Sequence, residues 1–164
     1  MKPDASDART RRASALGPSL LHPARPFFAR DDTSTTGKDS RDSFRILIVE
    51  DDYLVASDIE AALTTAGLEV VGVAASAEEA IALAASHAPS LAVMDIRLAG
   101  ERDGIDAALE LFREHGLRCI FATAHADDDA RHRAAPAKPL AWLQKPYSVA
   151  SLVALINQLR STPN

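Results

Sequence analysis

The stretch Phe44–Asp52, FRILIVEDD, decides the fold. Its apolar core, ILIV, is too short for a buried helix and shows no alternation with polar residues. A run of this kind reads as a strand covered on both faces, as in a parallel sheet. It ends abruptly in three acids, Glu50, Asp51 and Asp52. A second apolar run, Leu91–Met94, ends in Asp95. If the two runs are neighbours in one parallel sheet, their ends gather several carboxylates at one rim. Like charges brought that close resist ionisation unless a cation joins them.

Outward from Phe44, short apolar runs alternate with helical patterns, the signature of an α/β chain with helices on both faces of a parallel sheet. Five strands are predicted near 44–50, 69–74, 91–95, 118–123 and 140–143, and five helices near 53–66, 77–87, 104–115, 127–135 and 148–160. Gly67 and Gly116 follow helical runs in the manner of C-terminal caps. Ser76, with Glu79 three residues on, suggests a capping box. In the last helix Leu152, Leu155, Ile156 and Leu159 recur at spacings of three and four and define one apolar face.

Composition narrows the functional classes. The 164 residues suffice for one domain with a real core and are few for two. Hydrophobic residues at 47% and charged residues at 25% match a globular chain rather than a disordered one or a coiled coil. No apolar run approaches the roughly 18 residues that span a bilayer, so no membrane partner is expected. The single cysteine, Cys119, excludes an internal disulfide framework, which fits a reducing cytoplasm. His22, His87, His115, His125 and His132 show none of the close pairing that zinc sites use.

Residues 1–43 hold eight Lys/Arg against six Asp, leaving ten basic against 17 acidic residues in the remainder. An acidic domain without a basic stripe argues against nucleic acid as a direct ligand. Residues 1–43 also lack sustained periodicity, contain four of the nine prolines and end in DDTSTTGKDSRDS. They are expected to form a flexible N-terminal tail, with the domain spanning 44–164. Arg and Ser in the tail suggest a transit peptide, but Asp4 and Asp7 are out of place in one. Leu20-Leu21 and Phe27-Phe28 are candidate docking pairs. The last helical pattern ends close to Asn164, so no effector domain is expected after it.

In an open parallel sheet, ligands bind beyond the carboxyl ends of the strands, near the point where strand order reverses. Glu50, Asp51 and Asp95 belong to that rim, with Thr123 after the fourth strand and Lys145 after the fifth. These residue types suit phosphoryl transfer. Carboxylates are hard oxygen ligands for magnesium, which keeps several waters and exchanges readily. Asp95 is the candidate nucleophile, forming an acyl phosphate. Lys145 offers a mobile point charge and Thr123 a hydroxyl donor for the phosphoryl oxygens. Taken singly, each residue has a plainer reading. Asp52 and Asp51 could cap the first helix, Asp95 could be a loop aspartate, Thr123 a strand-end residue, and Lys145 a solvated lysine before a helix-starting proline. The conjunction at four strand ends favours chemistry.

These motifs, ILIVEDD, VMDIRL, FATA and QKPY, resemble in order and placement the receiver domain of two-component response regulators, over about residues 44–160. The resemblance implies a five-stranded doubly wound parallel sheet of flavodoxin-like order 2-1-3-4-5. It implies Asp95 as phosphoacceptor, and Glu50 and Asp51 as the acidic pair that holds Mg2+, completed by the Arg97 backbone carbonyl. Thr123 and Lys145 would read the phosphoryl group, and the Lys145-Pro146 bond would be cis. The implied partners are a histidine kinase or histidine phosphotransfer protein and a downstream protein target, and the implied place is the cytoplasm.

Three features depart from the common pattern. The loop DIRLAGERDG is one residue longer, with Ala99 where proline is usual. Trp142 occupies the switch position that often holds Tyr or Phe. FAT partly matches the FATGUY subgroup, yet Ala124-His125 replaces its glycine pattern. Asp127, Asp128, Arg131 and Tyr147 are candidate exposed contacts on the surface of helix four, strand five and helix five.

The rival readings are a phosphatase with an aspartyl-phosphate intermediate, a binding module that has lost its chemistry, and a flavin-binding domain. The first wants a general acid two residues after the nucleophile, where this chain has Arg97. The second is opposed by the intact acceptor and lysine. The third lacks a phosphate-cradling loop after the first strand.

Overall fold

The computed structural model describes residues 44–124 and 126–161. The tail, its Leu20-Leu21 and Phe27-Phe28 pairs, His22 and His125 lie outside the described residues.

Five parallel strands form one sheet: β1 (Arg45–Val49), β2 (Glu69–Ala74), β3 (Leu91–Met94), β4 (Cys119–Thr123) and β5 (Ala141–Gln144), in the order β2-β1-β3-β4-β5. The helices are α1 (Tyr53–Thr65), α2 (Ala77–His87), α3 (Gly104–His115), α4 (Asp128–Ala134) and α5 (Val149–Ser161). This is the flavodoxin-like arrangement, with strand order reversing between β1 and β3.

Alternation along each strand sorts the core into two halves. Ile46 and Ile48, Leu91 and Val93, and Ile120 and Ala122 pack against α1 and α5 through Ala56, Ile59, Leu63, Leu152 and Ile156. Leu47 and Val49, Ala92 and Met94, and Cys119 and Phe121 face the other way, onto Ala80, Ala84, Ile105, Leu111 and Ala134 of α2, α3 and α4. The central strands are buried on both faces because their sequences are apolar at nearly every position.

The caps follow the local chemistry. The Asp52 carboxylate accepts from the N–H groups of Leu54 (2.9 Å) and Val55 (3.2 Å), so Asp52 serves as the N-cap of α1. Asp103 and Asp106 complete a capping box on α3. The expected box on α2 is half formed. Ser76 accepts from Glu79 N–H, but Glu79 reaches one residue further back, to Ala75 N–H at 2.8 Å. The fourth helix stops at Ala134 and tightens into a 3-10 turn, Ala135–Ala137. Pro136 accounts for this, since its ring lacks a donor and clashes with the preceding helical turn.

Candidate phosphoryl-transfer site

Glu50, Asp95 and Lys145 continue the side-chain alternation that faces α1 and α5, while Thr123 and Trp142 continue the other. The rim therefore brings the charged groups together from three strand ends. Asp95 N–H donates to the Val49 carbonyl and Lys145 N–H to the Thr123 carbonyl, both at 2.9 Å, so the parallel ladder itself sets their positions. Lys145 Nζ then donates to Asp95 Oδ2 at 2.6 Å and to Glu50 Oε2 at 2.7 Å. The Glu50 side chain is 4% exposed, that of Asp95 10% and that of Lys145 23%. One ammonium thus joins two largely buried carboxylates.

The electrostatics follow from that geometry. Burial pushes the Glu50 carboxyl above its usual value; the bond from Lys145 offsets part of the rise and the neighbouring Asp95 charge adds to it. Burial also works against the Lys145 charge, but the bonds to Asp95 and Glu50 outweigh it and hold the ammonium above its ordinary range. Asp95 Oδ1 accepts a long bond of 3.3 Å from Arg97 N–H. Asp95 as a whole residue is 8% exposed.

The remaining expected residues are placed as follows. Asp51 is exposed, immediately after Glu50. Thr123 ends β4, opposite Gln144 in β5, and is buried. Arg97 has its backbone beside Asp95 and its side chain in solvent. Trp142 is half-buried and stacks on Phe121, with ring centroids 4.5 Å apart, away from the carboxylates. The Lys145-Pro146 bond is cis. Among the expected surface contacts, Asp127, Asp128 and Arg131 fall on the surface side of α4, whereas Tyr147 turns inward. Its ring packs with the α1/α5 core, and its hydroxyl is buried without a hydrogen-bond partner among the described residues.

Two contributors lie beyond the expected set. Gly104 opens α3 directly against the backbone of Asp95: its N–H donates to the Ile96 carbonyl at 2.7 Å, and a Cβ there would overlap the Asp95 carbonyl oxygen. The Asp-Gly pair at 103–104 is the available signal, but a contact with position 95 cannot be read from local spacing. The second is the Glu50–Lys145 ion pair, whose partners are 95 positions apart.

Magnesium can be tested against these donors. Glu50, Asp51, Asp95 and the Arg97 carbonyl are all hard oxygens, the kind this ion prefers. Among the described residues no three acidic, histidine or cysteine side chains are already gathered as a metal cluster. The observation that fits is the gap between Glu50 and Asp95, which already accommodates one cationic group, the Lys145 ammonium. The donor set suits an exchangeable ion that retains much of its hydration.

Comparison with known proteins agrees with this architecture. The profile of the response regulator receiver domain matches residues 46–157, most of the chain. The protein belongs to the response regulator receiver family of two-component signalling. The chain is 38% identical over 122 residues to the transcriptional regulatory protein PdtaR of Mycobacterium tuberculosis, covering 74% of this chain and 59% of that protein. It is 37% identical over 114 residues to the phyllosphere-induced regulator PhyR of Methylorubrum extorquens, covering 69% of this chain and 42% of that protein. It therefore spans roughly half the length of these relatives.

Among solved structures, the receiver domain of a modulated diguanylate cyclase from Desulfovibrio desulfuricans is 34% identical with a TM-score of 0.64, covering 70% of this chain and 90% of that one. A CheY-like receiver domain protein from Methanospirillum hungatei is 26% identical with a TM-score of 0.66, covering 72% and 94%.

Proposed function

We propose that the protein accepts a phosphoryl group on Asp95 from a histidine kinase or histidine phosphotransfer protein, with Mg2+, and signals by contact with a downstream protein or by passing the group on. The observation that supports this reading most is the bonding of Lys145 to both Glu50 and Asp95 at the rim where strand order reverses. A lysine held between two carboxylates is fixed where it can follow an oxygen that gains negative charge.

In the transfer, an Asp95 carboxylate oxygen forms a bond to phosphorus as the P–N bond of a phosphohistidine breaks. The departing imidazole keeps the electron pair and takes a proton from solvent. Oδ1, the oxygen that does not pair with Lys145, is the natural nucleophile. Lys145 stays paired with the product anion and Thr123 donates to another phosphoryl oxygen. Glu50, Asp51, Asp95 and the Arg97 carbonyl would hold Mg2+, whose chemical contribution is to neutralise charge on the incoming phosphoryl group. Return to the resting state is hydrolysis of the acyl phosphate, with water as the attacking group.

The chain is read as a signalling module rather than a turnover enzyme. Arg97, two residues beyond Asp95, has an exposed basic side chain and supplies no general acid. The domain is assigned to residues 44–164 and to the cytoplasm, where a buried free thiol such as Cys119 stays reduced. No helix among the described residues is long and apolar enough to cross a membrane.

The test is intact mass after incubation with acetyl phosphate and Mg2+. One added phosphoryl group, lost in Asp95→Asn and on chelation, supports the proposal. An unmodified wild-type chain would overturn it.

A further inference from the structure

The Trp142 indole is contacted by an aromatic ring and by a guanidinium. It stacks on Phe121 at 4.5 Å with the ring planes 25° apart, and the Arg131 guanidinium lies 4.8 Å from its centroid. Arg131 does not act on the indole alone. Its Nε–H donates to the Ala126 carbonyl at 3.2 Å, within the segment that joins Thr123 to α4. That segment is also anchored at its far end, where Asp127 caps α4 by accepting from Ala130 N–H at 2.8 Å. One side chain on α4 thereby holds the Ala126 carbonyl and lies over the aromatic residue of β5. Arg131 is suited to this because a planar guanidinium can stack on a ring while an edge N–H donates in the plane of the guanidinium.

We propose that Arg131 is a latch that stabilises the unphosphorylated arrangement, and that phosphorylation works against it. The inference rests on the receiver reading of Asp95. For the Thr123 hydroxyl to close on a phosphoryl group, the chain immediately after it has to follow. The Ala126 carbonyl cannot move far while it accepts from Arg131, and Arg131 cannot withdraw without uncovering Trp142. The resting state therefore carries two contacts that the active state gives up, and the equilibrium is biased toward rest by their strength. Arg131 is a positioning residue in this scheme, since it touches neither the acceptor nor the phosphoryl group.

The test uses the full chain, beryllofluoride with Mg2+ as the phosphoryl mimic, and fluorine NMR of the bound species as the measure of affinity. Arg131→Met retains an apolar stem over the indole while removing the charge and the donor. It is expected to tighten beryllofluoride binding about five-fold, the factor that one cation–π contact or one ordinary hydrogen bond represents. Acetyl phosphate labelling of Asp95 should speed up in parallel, and Arg131→Lys should fall between the two. A purely structural role would lower the melting temperature and leave the affinity unchanged. Unchanged or weaker beryllofluoride binding in Arg131→Met, with Asp95 still labelled, overturns the latch alone. If wild type and variant both fail to bind beryllofluoride and to take up phosphate, the receiver reading fails and the latch falls with it.

Discussion

Gly104→Ala probes how closely α3 is built onto the phosphoacceptor. A Cβ at this position would overlap the carbonyl oxygen of Asp95 and approach the Asp95 carbonyl carbon to 2.9 Å and Ile96 Cα to 3.0 Å. All three are backbone atoms, so no rotamer change relieves the clash; either the start of α3 or the chain at Asp95 must move. Movement breaks the Gly104 N–H to Ile96 carbonyl bond of 2.7 Å, worth about 1 kcal/mol. Overpacking in a closed site costs about 1–3 kcal/mol more, and the better helix propensity of alanine returns at most about 1 kcal/mol. The expected loss is therefore about 1–3 kcal/mol, or roughly 4–12 °C in melting temperature for a domain of this size. Urea denaturation followed by circular dichroism measures it. Gly116→Ala is the control: Gly116 has φ of 64° but nothing within 4 Å of the place a Cβ would take, so only backbone strain of about 1 kcal/mol is at stake. If Gly104→Ala costs no more than Gly116→Ala, the close-approach argument is wrong.

Glu50→Gln is expected to stabilise the metal-free protein at neutral pH. The Glu50 pKa is raised in the fold, so its favourable contribution is complete below the ordinary carboxylate value and is lost as pH rises through the folded value. The gain over wild type should shrink on acidification toward pH ~4.5, and a melting-temperature series across pH reads it directly. Asp103→Ala should cost about 1–2 kcal/mol through the lost cap of α3. Arg133→Ala, which removes the exposed 2.6 Å partner of that carboxylate, should cost less than about 1 kcal/mol; equal losses in urea melts would contradict the assignment. For Asp103 itself, burial raises the pKa, but the bonds from Asp106 N–H and Arg133 outweigh it and hold it low, so its contribution is present near neutrality and fades as acid titrates it. Tyr147→Phe deletes a buried hydroxyl that has no partner among the described residues and should stabilise the fold by about 1 kcal/mol. A destabilised Tyr147→Phe in the same melts would mean that the hydroxyl is satisfied, for example by water.

Much of the fold is legible in the chain because parallel sheets write themselves plainly. Runs such as ILIV and LAVM are apolar at every position, and an acid directly after such a run can only stand at the rim. Asp52, Gly67 and Gly116 mark helix ends by chemistry that acts within a few residues. The departures share one cause, which is the path of the chain beyond the local pattern. Glu79 accepts from Ala75 N–H rather than Ser76 N–H, and α4, expected over 127–135, closes at Ala134 as the chain tightens into the 3-10 turn that contains Pro136. Tyr147 reads as a surface residue from its loop position, yet the chain after the cis bond turns its ring into the α1/α5 core. Gly104 against Asp95, Lys145 against Glu50 and Arg131 over Trp142 are meetings across the fold, and no local periodicity encodes them.

The proposed function turns on the chemistry of one carboxylate. An acyl phosphate reacts with hydroxylamine to leave a hydroxamate on the residue that carried the phosphoryl group. After treatment with acetyl phosphate and Mg2+, peptide mapping should find that mark at Asp95, and neither at Glu50 nor at Asp51. A mark at another residue, or none in a chain that melts cooperatively, would contradict the central claim.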